Sequence, residues 1–434
     1  MATDILLPKI GFSMTEAQIA EWLAEDGATV TEGQPLYLLE ADKSANEVEA
    51  PASGTLRIIA QPGETYEMVL RVGIVSAAWG AFAHLPAWRA IPGVEVTAIC
   101  TSREETARAA QQRLGLPRAF WNAEEMCADP DIDIVDLGTR PSIRLPMVLA
   151  ALAHGKHVYN ASPHAPDWAG AKAIDTAWQR GTSIGVVDAF SQYLPALRQM
   201  KAMLDDGHIG APLGGTCHFN ISLFNQPNKL FPYNWFAQAG QGVSAVRNNG
   251  SHALYLLLHL LGPIAELVAD DSQILKRWVF PDGDVIEPET TDLANVILRF
   301  ESGLVLQMQI SWSMALHDGF LLDLFGDKGR MVSTSPTFPT ARDGTLRAGQ
   351  LGGTLEDVAL PDAFKTTPGI ALDWQSEPQP SYPMALSMQA MVAAIHGRGV
   401  AAPDFARALE VERIQEAIRI SSAERRWVRM ADII

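Results

Sequence analysis

Two hydropathy patterns that cannot continue into one sheet meet at Val72. Upstream, short apolar-polar runs at 5–7, 17–22, 35–40, 45–49 and 54–59 are separated by turn pairs such as Asp26-Gly27 and Glu32-Gly33. That is the signature of a small all-β unit. Downstream, the buried-strand run Val72-Gly73-Ile74-Val75 leads into small residues that open a helix. A strand at 94–100, a helix at 104–114, a strand at 132–137, a helix at 145–154 and a strand at 157–159 follow. Strands alternating with helices at this spacing require helical crossovers, and hence a parallel, doubly wound sheet. A chain of 434 residues exceeds one ordinary core. We therefore expect a β-sandwich over 1–68, a dinucleotide-type unit over 69–190, and an α+β unit over 191–434. In the last, runs at 214–222, 265–270, 292–300, 305–312 and 320–325 read as strands, with clear alternation over 304–313. Helical periodicity returns at 382–396 and 406–424.

The turn after Val75 decides whether a dinucleotide fits. Glycines there let the backbone approach a diphosphate at a helix N-terminus. The three glycine slots hold Ser76, Ala78 and Ala81, all small, with Trp79 and Gly80 between them. These five residues form the expected phosphate turn. After the second strand, where an acid would bind ribose hydroxyls, the chain reads Thr101-Ser102-Arg103. A missing acid and an available guanidinium favour a 2′-phosphate, so NADP is expected over NAD, held by Ser102 and Arg103. Ser102 is also placed to cap the helix that follows. Thr139 and Pro141, after the third strand, complete the cofactor-facing set.

Charge narrows the partners. The formal net charge of −17 argues against sequence-independent nucleic-acid binding and against anionic membrane surfaces. The longest apolar run, 253–261, is interrupted by His259 and too short to span a bilayer. The N-terminus lacks a signal-peptide pattern. Cys100, Cys127 and Cys217 are scattered without metal or redox spacing, as expected of buried thiols in a reducing cytoplasm. His154, His157 and His164 are close in sequence, but the first two fall in an ordinary strand-entry segment, and no metal site is expected.

Two stretches carry resemblances. Glu40-Ala41-Asp42-Lys43-Ser44, followed by Val48-Glu49-Ala50-Pro51-Ala52-Ser53-Gly54, resembles the swinging-arm hairpin of lipoyl carrier domains. The resemblance implies that Lys43, at the hairpin tip, carries a lipoyl group and serves a lipoyl-dependent complex partner. No Pro/Ala- or Gly/Ser-rich tether follows, and the segment that would close the unit is needed by the next strand.

From Val72 onward the chain resembles the glucose–fructose oxidoreductase / inositol dehydrogenase (Gfo/Idh/MocA) family. The matching stretches include Trp79-Gly80 with His84-Leu85-Pro86, Ala128-Asp129-Pro130-Asp131-Ile132-Asp133, Ala153-His154-Gly155-Lys156-His157-Val158, Gly250-Ser251-His252-Ala253-Leu254 and Phe325-Gly326-Asp327-Lys328-Gly329. The resemblance implies a large, open, mostly antiparallel second-domain sheet, a homo-oligomer, and a small sugar, polyol or hydroxy-carbonyl substrate. It also implies an active-site Lys where this chain has Ser162, and an Asp where it has Asn248. The family's Arg-Phe-x-Pro stretch reads Gln192-Tyr193-Leu194-Pro195. Of the titratable groups only His252 survives. Proton transfer to or from a reacting oxygen needs a group that titrates in the working range. His252 is thus the expected proton-transfer residue, with a pH–rate limb near neutrality, and Asn248, Ser162 and Tyr193 are its neutral hydrogen-bond partners. Arg140, Arg144 and Arg247 are candidates for an anionic substrate. Two other readings stay open: a catalytically reduced scaffold that binds a nucleotide or sugar, and a lipoyl-bearing subunit recruited to a 2-oxo acid dehydrogenase-like complex.

Overall fold

The computed structural model describes residues 5, 7, 16–41, 44–231, 233–375 and 380–434. Its first unit is a four-stranded antiparallel sheet, in the order Ser44–Glu49, Pro35–Ala41, Glu16–Trp22, Thr65–Glu67, beside a short ladder of Thr29–Val30 with Gly54–Thr55. Alternating side chains from these strands bury a small core of Ala17, Ile19, Val30, Leu36, Tyr37, Leu39, Ala50, Leu56 and Met68. Ala41 pairs with Ser44, which leaves Asp42 and Lys43 between the two strands. Those two residues, the proposed modification site included, lie outside the described residues.

The unit does close. Thr65–Glu67 pairs with Glu16–Trp22, so three residues do the work of the strand that seemed claimed by the next domain. Two residues, Met68 and Val69, then separate it from the strand Leu70–Val75. The Arg398 guanidinium grips Glu67 from the body at 2.5 and 3.0 Å. Both side chains are about half exposed, so the pair adds little stability of its own.

The second unit is a six-stranded parallel sheet in the order Arg118–Phe120, Val94–Cys100, Leu70–Val75, Ile134–Leu137, His157–Asn160, Gly185–Val187. The unit's own first strand, Leu70–Val75, lies centrally, and the order reverses on either side of it. That reversal opens a crevice at the strands' C-terminal ends, where such folds take their ligands. The strand and helix at 94–100 and 104–114 fall where the pattern puts them. The helix expected over 145–154 starts earlier, as Pro141–Ala153. Proline at its first turn lacks only an N–H that has no helical partner there.

The third unit is a nine-stranded mixed sheet, ordered Glu356–Asp357, Thr345–Gln350, Gly329–Ser335, Gly319–Gly326, Pro212–Asn220, Val305–Ser311, Leu293–Phe300, Ile264–Ser272, Val428–Arg429. Only Pro212–Asn220 and Val305–Ser311 run parallel. One face is buried by alternate residues such as Ala294, Val296, Leu298 and Phe300. Helices Ala245–Leu261 and Phe405–Glu424 pack against this sheet. The first of them carries His252 to the seam with the dinucleotide unit. No described helix is long and apolar enough to cross a membrane.

Candidate functional site

The crevice is lined first by the turn after Leu70–Val75. Ser76 has φ +143°, a conformation that glycine adopts freely and serine does not. The backbone geometry that the glycine slot demands is therefore kept although the glycine is gone. Ala81 N donates to Ser76 O at 3.1 Å, and Ala78 N to Ser76 Oγ at 3.2 Å. Gly80 lies so close to the neighbouring strand end that a Cβ added at Gly138 would sit 3.0 Å from Gly80 N. A Cβ at Gly80 itself would meet Ile74 Cγ2 at 2.7 Å. The two glycines let the start of the helix pack tightly on the strand ends, and with the glycine-like φ of Ser76 the turn keeps the backbone shape of a dinucleotide-binding turn.

Ser102 and Arg103 are both exposed at the end of the second strand. The helix N-cap is Arg103, not Ser102, and no side chain caps it. The Thr101 and Thr106 hydroxyls instead bind Arg103 O at 3.1 and 2.9 Å. That leaves the Ser102 hydroxyl and the Arg103 guanidinium without partners among the described residues. Thr139 O accepts from Arg144, and Pro141 is buried at the first turn of its helix.

Beneath this turn lies a buried charge cluster that the sequence did not announce. His84, fully buried, places Nδ1 2.7 Å from Asp136 Oδ1 and Nε2 3.3 Å from Asp188 Oδ2. Trp88 Nε1 donates to Asp136 Oδ2 at 2.6 Å, and Trp79 Nε1 to Asp188 Oδ2 at 3.1 Å. Burial alone would drive the imidazole pKa down, but the Asp136 and Asp188 carboxylates outweigh it and raise His84 to about 10. His84 is thus an imidazolium held between two carboxylates. Burial likewise pushes Asp188 up, and the hydrogen bond and charge of His84 hold it below the usual carboxylate range.

Asp188 ties this cluster to the expected catalytic residues. Ser162 N donates to Asp188 Oδ1 at 2.6 Å, and Ser162 Oγ is buried with no partner among the described residues. His252 is only 8% exposed, its Nδ1 buried and unpartnered among the described residues. Its ring packs against Phe190 (centroids 5.6 Å apart) and Phe338 (5.0 Å). Burial lowers the His252 pKa from the ordinary imidazole value, and the Asp188 charge opposes the shift. Asn248 stands one turn earlier on the same helix face. Tyr193 is engaged elsewhere: its hydroxyl donates to Ala402 O at 2.7 Å.

Two of the three arginines expected to take an anion are committed to the protein, while the third, Arg140, at the N-cap of Pro141–Ala153, has its Nε buried without a partner among the described residues. Arg144, 1% exposed, donates to the carbonyls of Thr139, Ala161 and Pro163 and so staples the Ser162 loop to the end of Ile134–Leu137. Arg247 binds Gly242 O at 3.0 Å, Ala165 O at 2.7 Å and the buried Glu412 carboxylate at 2.8 Å. His157 Nδ1 accepts from Ile184 N at 2.9 Å, and Asn160 Nδ2 lies 3.0 Å from His164 Nδ1. These histidines serve the strand ends.

Comparisons with known proteins agree with this anatomy. Residues 3–68 match the biotin-requiring enzyme (biotin/lipoyl) family, 70–187 the NAD-binding Rossmann-fold oxidoreductase family GFO/IDH/MocA, and 197–332 the GFO/IDH/MocA C-terminal domain. A D-apiose dehydrogenase of Paraburkholderia graminis is 31% identical over 234 residues, 53% of this chain and 57% of that enzyme, so the match spans little more than half the relative's length. A stretch of 75 residues finds a different relative. The dihydrolipoyllysine-residue acetyltransferase component of the Cupriavidus necator acetoin cleaving system is 41% identical over 75 residues, 17% of this chain and 20% of that protein. Among solved structures, an NAD-binding oxidoreductase from Klebsiella pneumoniae superposes with a TM-score of 0.74 at 24% identity, covering 83% of this chain and 99% of its own. Levoglucosan dehydrogenase in complex with NADH and L-sorbose gives 0.73 at 21% identity, over 83% and 98%. At these identities the superpositions speak for the fold.

Proposed function

Since the chain belongs to the GFO/IDH/MocA oxidoreductases, with a lipoyl-type unit fused in front, we propose that it is an NAD(P)-dependent dehydrogenase of a small sugar, polyol or related hydroxy-carbonyl compound. The observation that carries the reading is that His252, from the second domain, reaches the strand ends of the dinucleotide unit: its ring packs on Phe190, two residues after Asp188, whose carboxylate takes Ser162 N. The sugar dehydrogenase among its relatives supports the substrate class. The nicotinamide cofactor, when bound, accepts or returns a hydride. The chain's own residues do the rest. Ser76, Ala78, Trp79, Gly80 and Ala81 hold the diphosphate, and Ser102 and Arg103 the 2′-phosphate. His252 exchanges the substrate hydroxyl proton, and Ser162 Oγ and Asn248 orient that hydroxyl. Fluorescence titration with reduced nicotinamides, followed by turnover assays on a polyol and sugar panel, tests the reading. Tight cofactor binding without any turnover would favour the reduced-scaffold alternative.

NADP is proposed to bind better than NAD. A charge-assisted phosphate contact is worth ~1.5–3 kcal/mol. Arg103→Ala should thus weaken NADP(H) roughly ten- to hundredfold and barely touch NAD(H). Equal weakening of both, in the same titration, would remove the assignment.

Lys43 is proposed to carry a lipoyl group, supported by the relative whose name includes a dihydrolipoyllysine residue. Intact mass of chain co-expressed with a lipoate ligase should show the added group on wild type and none on Lys43→Arg. Unmodified wild type would show that the ligase does not recognise this short-strand unit. The assembly is proposed to be a homo-oligomer in a reducing cytoplasm, and a lipoyl-dependent partner follows only from a modified Lys43.

A further inference from the structure

A cavity of about 570 Å³ lies at the N-terminal ends of the parallel strands, on the side of the sheet away from the crevice at their C-terminal ends. We infer that it is a binding site for a small aliphatic carboxylate, seated where the carrier unit, the dinucleotide unit and the C-terminal helices meet. Such a site goes beyond the dehydrogenase reading and does not need it.

All three units supply walls. Glu67 ends the last strand of the carrier unit. Pro92 and Gly93 come just before Val94–Cys100, and Gly93 O accepts from Leu70 N at 2.9 Å, which ties this wall to the first residue of the strand after the junction. The helix Ser381–Ile395 presents Leu386, Gln389, Ala390 and Ala393. Residues three and four apart share a helix face, so these four form one stripe, and its two alanines leave the space that larger side chains would fill. Ile91 and Val392 add to the apolar lining. Sites that take small molecules measure about 300–1,000 Å³ and are mostly apolar with a few placed polar groups. Tyr193, expected at the reacting centre, lines this cavity, with its hydroxyl taken by Ala402 O.

The polar groups favour an anion. In a chain of net charge −17, this lining holds Arg198, Arg398 and His396 against Glu67. Arg398 and His396 both face Glu67, at 2.5 and 3.9 Å. Arg198, from the helix Pro195–Asp205, is the arginine left over. It donates to Phe364 O at 3.5 Å and lies over the Phe364 ring, 4.4 Å from its centroid, and it pairs with no carboxylate among the described residues. A guanidinium offers five N–H donors in a fork that matches a carboxylate, so most of the fork is available. A half-buried cation beside an apolar wall gains from an anion that brings its own apolar body. Glu67 at the rim disfavours a second negative charge on the ligand. The chemistry that fits is one carboxylate on a hydrocarbon chain, with the head at Arg198 and the chain along the Leu386–Ala393 stripe.

Calorimetric titration of the full-length chain with octanoate, octanol and octylamine tests the site. Octanoate should bind once per chain, at least tenfold tighter than octanol, and octylamine should not displace it. Arg198→Gln should weaken octanoate about ten- to hundredfold, to the level of octanol, as expected for loss of a charge-assisted contact. Ala390→Phe should remove binding of both, because the new ring fills the stripe and leaves Arg198 in place. Equal affinity for octanoate and octanol overturns the site, and so does a wild-type chain that binds no octanoate. Neither result depends on a variant that folds. Octanoate binding that survives Ala390→Phe would place the ligand elsewhere and also overturns it. Octanoate binding as expected in a chain that turns over no sugar would count against the dehydrogenase reading alone.

Discussion

His252→Asn should nearly silence turnover while leaving nicotinamide binding intact. Asparagine keeps a similar shape and hydrogen-bonding capacity but cannot exchange a proton near neutrality. Positioned general acid–base groups are worth roughly 10²–10⁴ in rate, and with Ser162 and Asn248 in the family's Lys and Asp places no second titratable side chain shares the load. The phosphate turn and Arg103 lie on the other unit, so the dissociation constant measured by fluorescence should move little. The pH dependence differs from the expectation drawn from sequence. Burial lowers the His252 pKa, so for alcohol oxidation the rate should rise with pH through a limb on the acid side of the ordinary imidazole value, and not near neutrality. Activity that survives the substitution would mean that the proton leaves by another route.

His84→Leu should be the most destabilising single change in the dinucleotide unit. The leucine fills the space, but Asp136 and Asp188, 0% and 3% exposed, lose the cation between them. Removing one partner of a buried ion pair costs about 3–5 kcal/mol, because the remaining charge is stranded in a low dielectric. Denaturant melts should show that loss at neutral pH. The folded-state pKa of His84 is raised to about 10, so its contribution is complete below the ordinary imidazole pKa and fades as pH climbs through about 10. The gap between wild type and variant should shrink there. A gap that instead widened with rising pH would mean that His84 is neutral in the fold.

The two predictions rest on residues of unequal visibility. His252 stood out because Gly250-Ser251-His252 recurs at a recognisable place and because a lone titratable group among neutral ones invites a role. The parallel sheet was legible for a similar reason: period and spacing are local properties, and the strand at 94–100 and the helix at 104–114 fall at the expected residues. The His84 cluster was not legible, since its pairings join residues 52 and 104 positions apart. A signal existed nonetheless. Asp136 interrupts the apolar run Ile134-Val135-Asp136-Leu137, and Asp188 ends Val186-Val187. A carboxylate in a strand buried on both faces must find a cation or donors, so such an aspartate points to a partner even when it cannot name it. Arg144 misled in the opposite sense. A guanidinium near a presumed crevice suggests an anion, but this one is turned inward to carbonyls. Its burial also hid the true start of the helix, since a polar residue at an inward position breaks the apolar period.

The junction at Met68 and Val69 has a bearing on how a lipoyl arm can serve. With only two residues between the sheets, the carrier unit has little orbit of its own. An arm on Lys43 would swing about a fixed anchor, and its radius would be that of the lysyl-lipoyl chain alone. Traffic must then run inward: whatever charges or discharges the dithiolane has to dock at the hairpin tip. In a homo-oligomer the arms would project at bearings set by the symmetry, one per subunit, so the assembly would act as a static rack and its valency would equal its subunit count.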